Sequence, residues 1–177
     1  MKRSRYSVGA GRTALVGVLA ALSLAVLYLA ALVPTGQLGL VAAAGLMPAA
    51  AVISAGLPAG VLCYGVTGIL GLLLTPDKGS AALYLLFFGL YPLVKCLIER
   101  LRRLPLEWAC KLAFFNLALA AAWFTLRGAL LAGLPAIFEG LWVLFALGNV
   151  TFVVYDLGFS RLIALYCTRI DKLVRRP

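Results

Sequence analysis

The chain has 177 residues, 64% of them hydrophobic and 12% charged, with no histidine. A mean hydropathy of +1.05 excludes a water-soluble domain, in which charged residues approach a quarter of the sequence, and the missing histidine excludes His-based triads, zinc hydrolases, imidazole-ligated haem and the usual proton shuttles. The formal charge of +10 does not point to nucleic acid, because twelve of the sixteen cations fall in three blocks beside apolar stretches, as topology determinants and anionic-lipid contacts do.

Between Arg12 and Asp77 lie 64 residues without a charge, enough for three membrane spans, and Gly and Pro divide them. The first predicted span covers 13–33 and ends at Pro34-Thr35-Gly36-Gln37; the second covers 38–55 and the third 58–74. The turn Thr75-Pro76-Asp77-Lys78-Gly79-Ser80 closes that half. A fourth span, 81–98, meets the basic stretch from Glu99 to Glu107; a fifth, 108–126, stops at Arg127; the sixth covers 139–156. The apolar stretch 128–138 is too short to cross and reads as a loop with a short helix dipping into the outer interface. In the basic tail 157–177, Phe159, Leu162, Ile163, Tyr166, Ile170 and Leu173 alternate with Arg161, Arg169 and Lys172 at helical spacing. That pattern predicts a membrane-surface helix or a continuation of the sixth span.

The expected architecture is therefore an all-α, six-helix membrane bundle forming one integral domain over 1–177, with both termini on one side. Placing the termini in the cytoplasm puts all three basic blocks inside and leaves Lys78 and Arg127 outside, as the positive-inside rule requires. A cleaved signal peptide is disfavoured because the first apolar run exceeds the usual ~7–15 residues and no small-x-small site precedes a soluble domain. Cys63, Cys96, Cys110 and Cys167 map to the inner half or the tail, form no CxxC, and read as reduced core thiols rather than metal or redox groups.

Polar residues inside the spans sort into two tiers. Toward the inner side, Lys95 precedes Glu99 by four residues, Glu107 precedes Lys111 by four, and Asp156 lies near the end of the sixth span. They read either as snorkelling lysines with partners on their own helix or as a charge cluster linking spans four to six. Toward the outer side, helical spacing aligns Tyr84, Phe88 and Tyr91 on span four, Asn116, Ala120, Trp123 and Arg127 on span five, and Trp142, Phe145, Asn149 and Phe152 on span six. Facing one another, these stripes predict an aromatic cup with an amide at its base and Arg127 and Glu139 at its mouth, closed over by Gln37. Trp142 stacks and Asn149 reads a polar group of a small, partly planar ligand, with Tyr84, Trp123, Arg127, Glu139 and Gln37 in support. The alternative for the two tryptophans is an interfacial belt, and Asn149 at mid-span needs a partner that a ligand or another helix provides.

On the first span, Gly17, Ala21 and Ala25 recur every four residues beside Ala14, a small-residue face able to dock an external helix. The basic N-terminus, Ala-rich first helix, Pro-ended turn, Gly-rich charge-free first half, six spans and basic tail together resemble the substrate-binding S components of energy-coupling factor transporters. The AxxxA-type docking motif of that family matches Ala21-Leu22-Ser23-Leu24-Ala25, with Gly17 one turn earlier where the family has alanine; no vitamin-specific signature is matched. The resemblance implies a multi-pass protein of the bacterial cytoplasmic membrane. It implies binding rather than enzymatic activity, with no cofactor or metal, and a vitamin or precursor as substrate. It also implies a pocket that opens outward between the loop after the first helix, helices four to six and the loop before the sixth, and partnership with a transmembrane coupling protein and two cytoplasmic ATPases. The chain has no GxxxxGK[ST] of its own. The main rival is a structural membrane protein of the cell-envelope morphogenesis type, which uses the same small-residue face for assembly. An intramembrane enzyme lacks supporting motifs, and a self-sufficient transporter lacks an internal repeat.

Overall fold

The computed structural model describes residues 4–33, 35–101, 103–131 and 141–169, which form helices joined by short turns, with no strand among them. In chain order the helices are α1 (Ser4–Leu32), α2 (Gln37–Ala44), α3 (Leu46–Ala55), α4 (Leu57–Leu74), α5 (Lys78–Leu83), α6 (Tyr91–Ile98), α7 (Leu104–Leu131) and α8 (Leu141–Arg169). A π-helical turn, Tyr84–Phe88, lies between α5 and α6, and a 3-10 turn, Glu99–Leu101, follows α6. Six stretches are long and apolar enough to cross a membrane: Gly11–Leu32, Gln37–Ala55, Leu57–Leu74, Lys78–Leu101, Leu104–Thr125 and Trp142–Thr168. The protein is a multi-pass, all-helical membrane protein.

Of the two alternatives for the residues after Asp156, the structure takes the second: helix α8 continues unbroken to Arg169 and prolongs the sixth span up to that point; positions 170–177 lie outside the described residues. One detail differs from the expected layout. Of the stretch expected to loop at 128–138, the first four residues extend α7 to Leu131, and the remainder lies outside the described residues.

The chain divides into two compact units, one comprising residues up to Val94 with the segment from Leu165 onward, the other running from Lys95 to Ala164. In the first, α1 packs on α4, α2 and α3, and α3 packs on α4. Its interior is built largely of small side chains: Leu27, Ala30, Val41, Ala44 and Tyr84 in one cluster, Ala20, Ala51, Ala59 and Cys63 in another. Small residues let helix backbones approach closely, which is how apolar helices gain contact where lipid offers no hydrophobic contrast.

Both the second and the fourth span are interrupted, and side chains repair the backbone at each break. Pro48 has no N–H to give the Ala44 carbonyl one turn earlier, and the Ser23 hydroxyl donates to that oxygen instead at 2.9 Å. In the π-helical turn the Gly89 N–H reaches past Leu85 to the Tyr84 carbonyl at 2.8 Å. The Leu85 carbonyl thereby loses its α-helical donor and accepts from the Tyr64 hydroxyl at 2.9 Å. The two breaks meet at Gly45, where a Cβ would collide with the Phe88 carbonyl oxygen, so only glycine permits this approach. Gly56, with φ of 92°, supplies the left-handed turn between α3 and α4.

In the second unit α7 and α8 are joined by a stacked Phe115–Phe152 pair with ring centroids 4.6 Å apart. Gly148 leaves room for it: a Cβ there would lie 3.3 Å from the Phe115 ring. All four cysteines are free thiols.

Candidate functional site

The densest chemistry lies in the second unit, where Lys95 comes from α6, Glu99 from the 3-10 turn after it, Lys111 from α7, and Asp156 and Ser160 from α8. Asp156 Oδ1 pairs with Lys95, and Asp156 Oδ2 pairs with Lys111 at 3.2 Å. On the other side, Glu99 Oε1 lies 2.9 Å from the Lys95 ammonium and 3.1 Å from that of Lys111. The four charges alternate around a closed ring with no net charge. Lys95 also donates to Ser160 Oγ at 2.9 Å, and that hydroxyl donates to the Asp156 carbonyl at 2.8 Å. Trp108 lies with its ring centre 5.7 Å from the Lys111 ammonium. Lys95, Lys111 and Asp156 are buried, whereas the Glu99 side chain is 46% exposed. Buried charges in a bilayer are tolerated when paired, and here each buried charge faces two opposite charges or an opposite charge and a hydroxyl.

Of the two readings of these residues, the ring matches the cluster linking spans four to six. The spacing misassigned one partner: Lys111 pairs with Glu99 and Asp156, whereas Glu107 shares its helix but forms no ion pair with it among the described residues. Ser160 carried no signal beyond lying one turn after Asp156.

The outer candidates are distributed over both units, Gln37 and Tyr84 in the first and Trp123, Trp142 and Asn149 in the second. Asn149 finds its partner on the neighbouring helix. Its Nδ2 donates to Asn116 Oδ1 at 3.0 Å and to the Phe145 carbonyl at 2.8 Å, while Asn116 Nδ2 donates to Asn149 Oδ1 at 3.1 Å and to the Leu112 carbonyl at 2.8 Å. Every amide hydrogen of the pair is used. Trp123 is buried and Trp142 is 88% exposed. The backbone of Arg127 belongs to α7 but its side chain lies outside the described residues, as does Glu139.

Tyr84 is fully buried at the start of the π-helical turn, its hydroxyl 3.4 Å from Ser23 Oγ and its ring stacked on Tyr64 at 6.1 Å. Tyr91, also fully buried, stacks on Phe87 one turn earlier at 5.4 Å. Gln37 donates to Asp77 Oδ2 at 2.5 Å and to Ser80 Oγ at 2.7 Å. Asp77 caps α5 by accepting from the Gly79 and Ser80 N–H groups at 2.9 and 3.0 Å. Lys78 turns back to cap α4, donating to the Leu72 and Thr75 carbonyls at 2.7 and 2.9 Å.

On α1 the small-residue face and the packed face are distinct. Ala20, Ser23, Leu27 and Ala30 are buried, while Gly17, Ala21 and Ala25 are exposed. A Cβ placed on Gly17 would meet nothing within 4 Å. Comparison with protein-family models, with curated proteins and with solved structures gave no match.

Proposed function

We propose that this chain is the membrane-embedded substrate-binding subunit of an energy-coupling factor transporter, taking up a small molecule of the vitamin or precursor class across a bacterial cytoplasmic membrane. The observation that carries the reading is the outward Gly17–Ala21–Ala25 strip on α1. Such a strip gains little from lipid tails but lets a second helix approach to backbone distance. Its occupant in this reading is a helix of a transmembrane coupling protein, which relays work from two cytoplasmic ATPases; both termini of the chain then lie in the cytoplasm. The chain itself binds and does no covalent chemistry, with Trp123 and Trp142 of the second unit as aromatic contacts and Arg127, Glu139 and Asn149 of the same unit as polar ones.

The test is Ala21→Trp, which adds bulk to the strip without touching the packed face. The variant is expected to retain copurifying small molecules, identified by mass spectrometry after detergent extraction, while losing complex assembly and uptake. Equal loss of both overturns the assignment. A second reading, a structural protein of cell-envelope assembly, is favoured by the Asn116–Asn149 pair, because Asn149 already has the partner that a ligand was expected to supply. Copurification of an envelope-assembly protein with no small molecule identifies that case.

A further inference from the structure

We propose that Lys95 and Lys111 form the seat of an anion site for a singly charged phosphate ester, with the Glu99 carboxylate as a resident anion that the ligand displaces. The inference stands independently of the transport reading. The two acids of the ring are not equivalent. Asp156 commits one oxygen to each lysine, and the backbone carbonyl of its own residue is tied by Ser160. Glu99 serves both ammoniums through the single atom Oε1, projects from a three-residue 3-10 turn, and is the member of the ring open to the surroundings. It is the acid that can swing away without unpacking a helix.

When Glu99 swings out, two lysines against one aspartate leave a net charge of +1 at a point about 3 Å from both ammoniums, the spacing of charge-assisted hydrogen bonds to one oxygen. A phosphodiester brings one negative charge and two equivalent oxygens, so it restores neutrality as Glu99 did. The approach is electrostatically prepared by the exposed Arg100 and Arg103 in the same stretch. Trp108 beside Lys111 is a side chain suited to headgroup depth. The same chemistry is available from an anionic lipid headgroup or from a soluble phosphate ester.

The experiment uses the full chain in maltoside detergent micelles, which carry no phosphodiester, with either phosphatidylglycerol mixed in or inorganic phosphate added, and reads the shift in Tm. Glu99→Gln empties the seat and is expected to respond at concentrations at least about tenfold lower than the parent, equivalent to ~1.4 kcal/mol. The double variant Lys111→Met/Glu99→Gln retains a balanced Lys95–Asp156 pair and is expected to lose the response while remaining folded. A response to phosphatidylglycerol alone assigns a lipid headgroup, and a response to phosphate in lipid-free micelles assigns a soluble ester. If Glu99→Gln folds only when phosphatidylglycerol or phosphate is present, the seat is supported; failure to fold in every condition overturns it. So does a Glu99→Gln response no stronger than the parent's, or one that the double variant keeps.

Discussion

Asn116 and Asn149 exchange a reciprocal pair of amide hydrogen bonds between α7 and α8, at 3.1 and 3.0 Å, and each spends its remaining amide hydrogen on a carbonyl one turn back along its own helix. The pair is closed, so its members depend on each other. Replacing Asn149 with Leu strands the Asn116 amide in an apolar setting and is expected to cost about 1–2 kcal/mol, near the upper range for interhelical bonds in membranes. Asn116→Leu/Asn149→Leu removes both ends and is expected to be clearly more stable than the sum of the single changes. Reversible unfolding in mixed micelles gives the coupling energy. Additive losses from the two single variants contradict a closed pair.

The long charge-free run and its Gly and Pro divisions made the number and order of spans legible, because bilayer thickness and backbone satisfaction leave few alternatives. Breaks within spans were harder. Pro48 was visible in the second span, but its consequence depends on Ser23 in another helix reaching the Ala44 carbonyl. The π-helical turn at Tyr84–Phe88 left only faint marks, Gly89 and Pro92, yet its extra residue shifts the phase on which the Tyr84, Phe88 and Tyr91 stripe rested. Helical spacing likewise placed Lys111 and Glu107 on one face but said nothing of which neighbouring helix comes nearer, and Asp156 with Glu99 wins. Asn149 was recognised as needing a partner; choosing Asn116 over a ligand required three-dimensional proximity.

Ser23→Ala is expected to destabilise the protein by about 1–2 kcal/mol, since it leaves a buried carbonyl without its donor and removes a contact to the Tyr84 hydroxyl. The loss has a built-in control. In a Pro48→Ala background the backbone regains the N–H that Ala44 lacks, so Ser23→Ala is expected to cost clearly less there. Equal costs in the two backgrounds, measured by the same unfolding assay, show that the serine acts by packing alone.

Asp77 lies between two spans, and its ionisation couples to the fold. Burial pushes its carboxyl up, but hydrogen bonds from Ser80, the Gly79 N–H and the Gln37 amide outweigh that effect and hold it below the usual carboxylate range. A depressed folded-state value means the stabilisation is fully present above the unfolded value, near ~3.9, and is lost as pH falls through the folded one. Tm measured from neutral toward strongly acidic pH is expected to fall more steeply for the parent than for Asp77→Asn, which keeps a capping oxygen but cannot titrate. Parallel curves assign the acid sensitivity elsewhere.

Removing Asp156 separates charge pairing from charge balance. Asp156→Asn leaves two buried ammoniums facing one half-exposed carboxylate, and loss of a partner from a buried ion pair costs about 3–5 kcal/mol, enough to unfold many membrane proteins of this size or prevent their accumulation. Lys95→Met in the same chain restores neutrality, because Lys111 and Glu99 then remain as one pair. The double variant also removes the Lys95 bond to Ser160, whose hydroxyl keeps its own bond to the residue-156 carbonyl. Most of the lost stability is therefore expected to return in Asp156→Asn/Lys95→Met, read as recovery of monodisperse protein on gel filtration and of Tm to within a few degrees of the parent. A double variant as unstable as Asp156→Asn alone means that the ring contributes directional bonds between α6 and α8 that charge balance does not replace, and the compensated-charge account of this cluster fails.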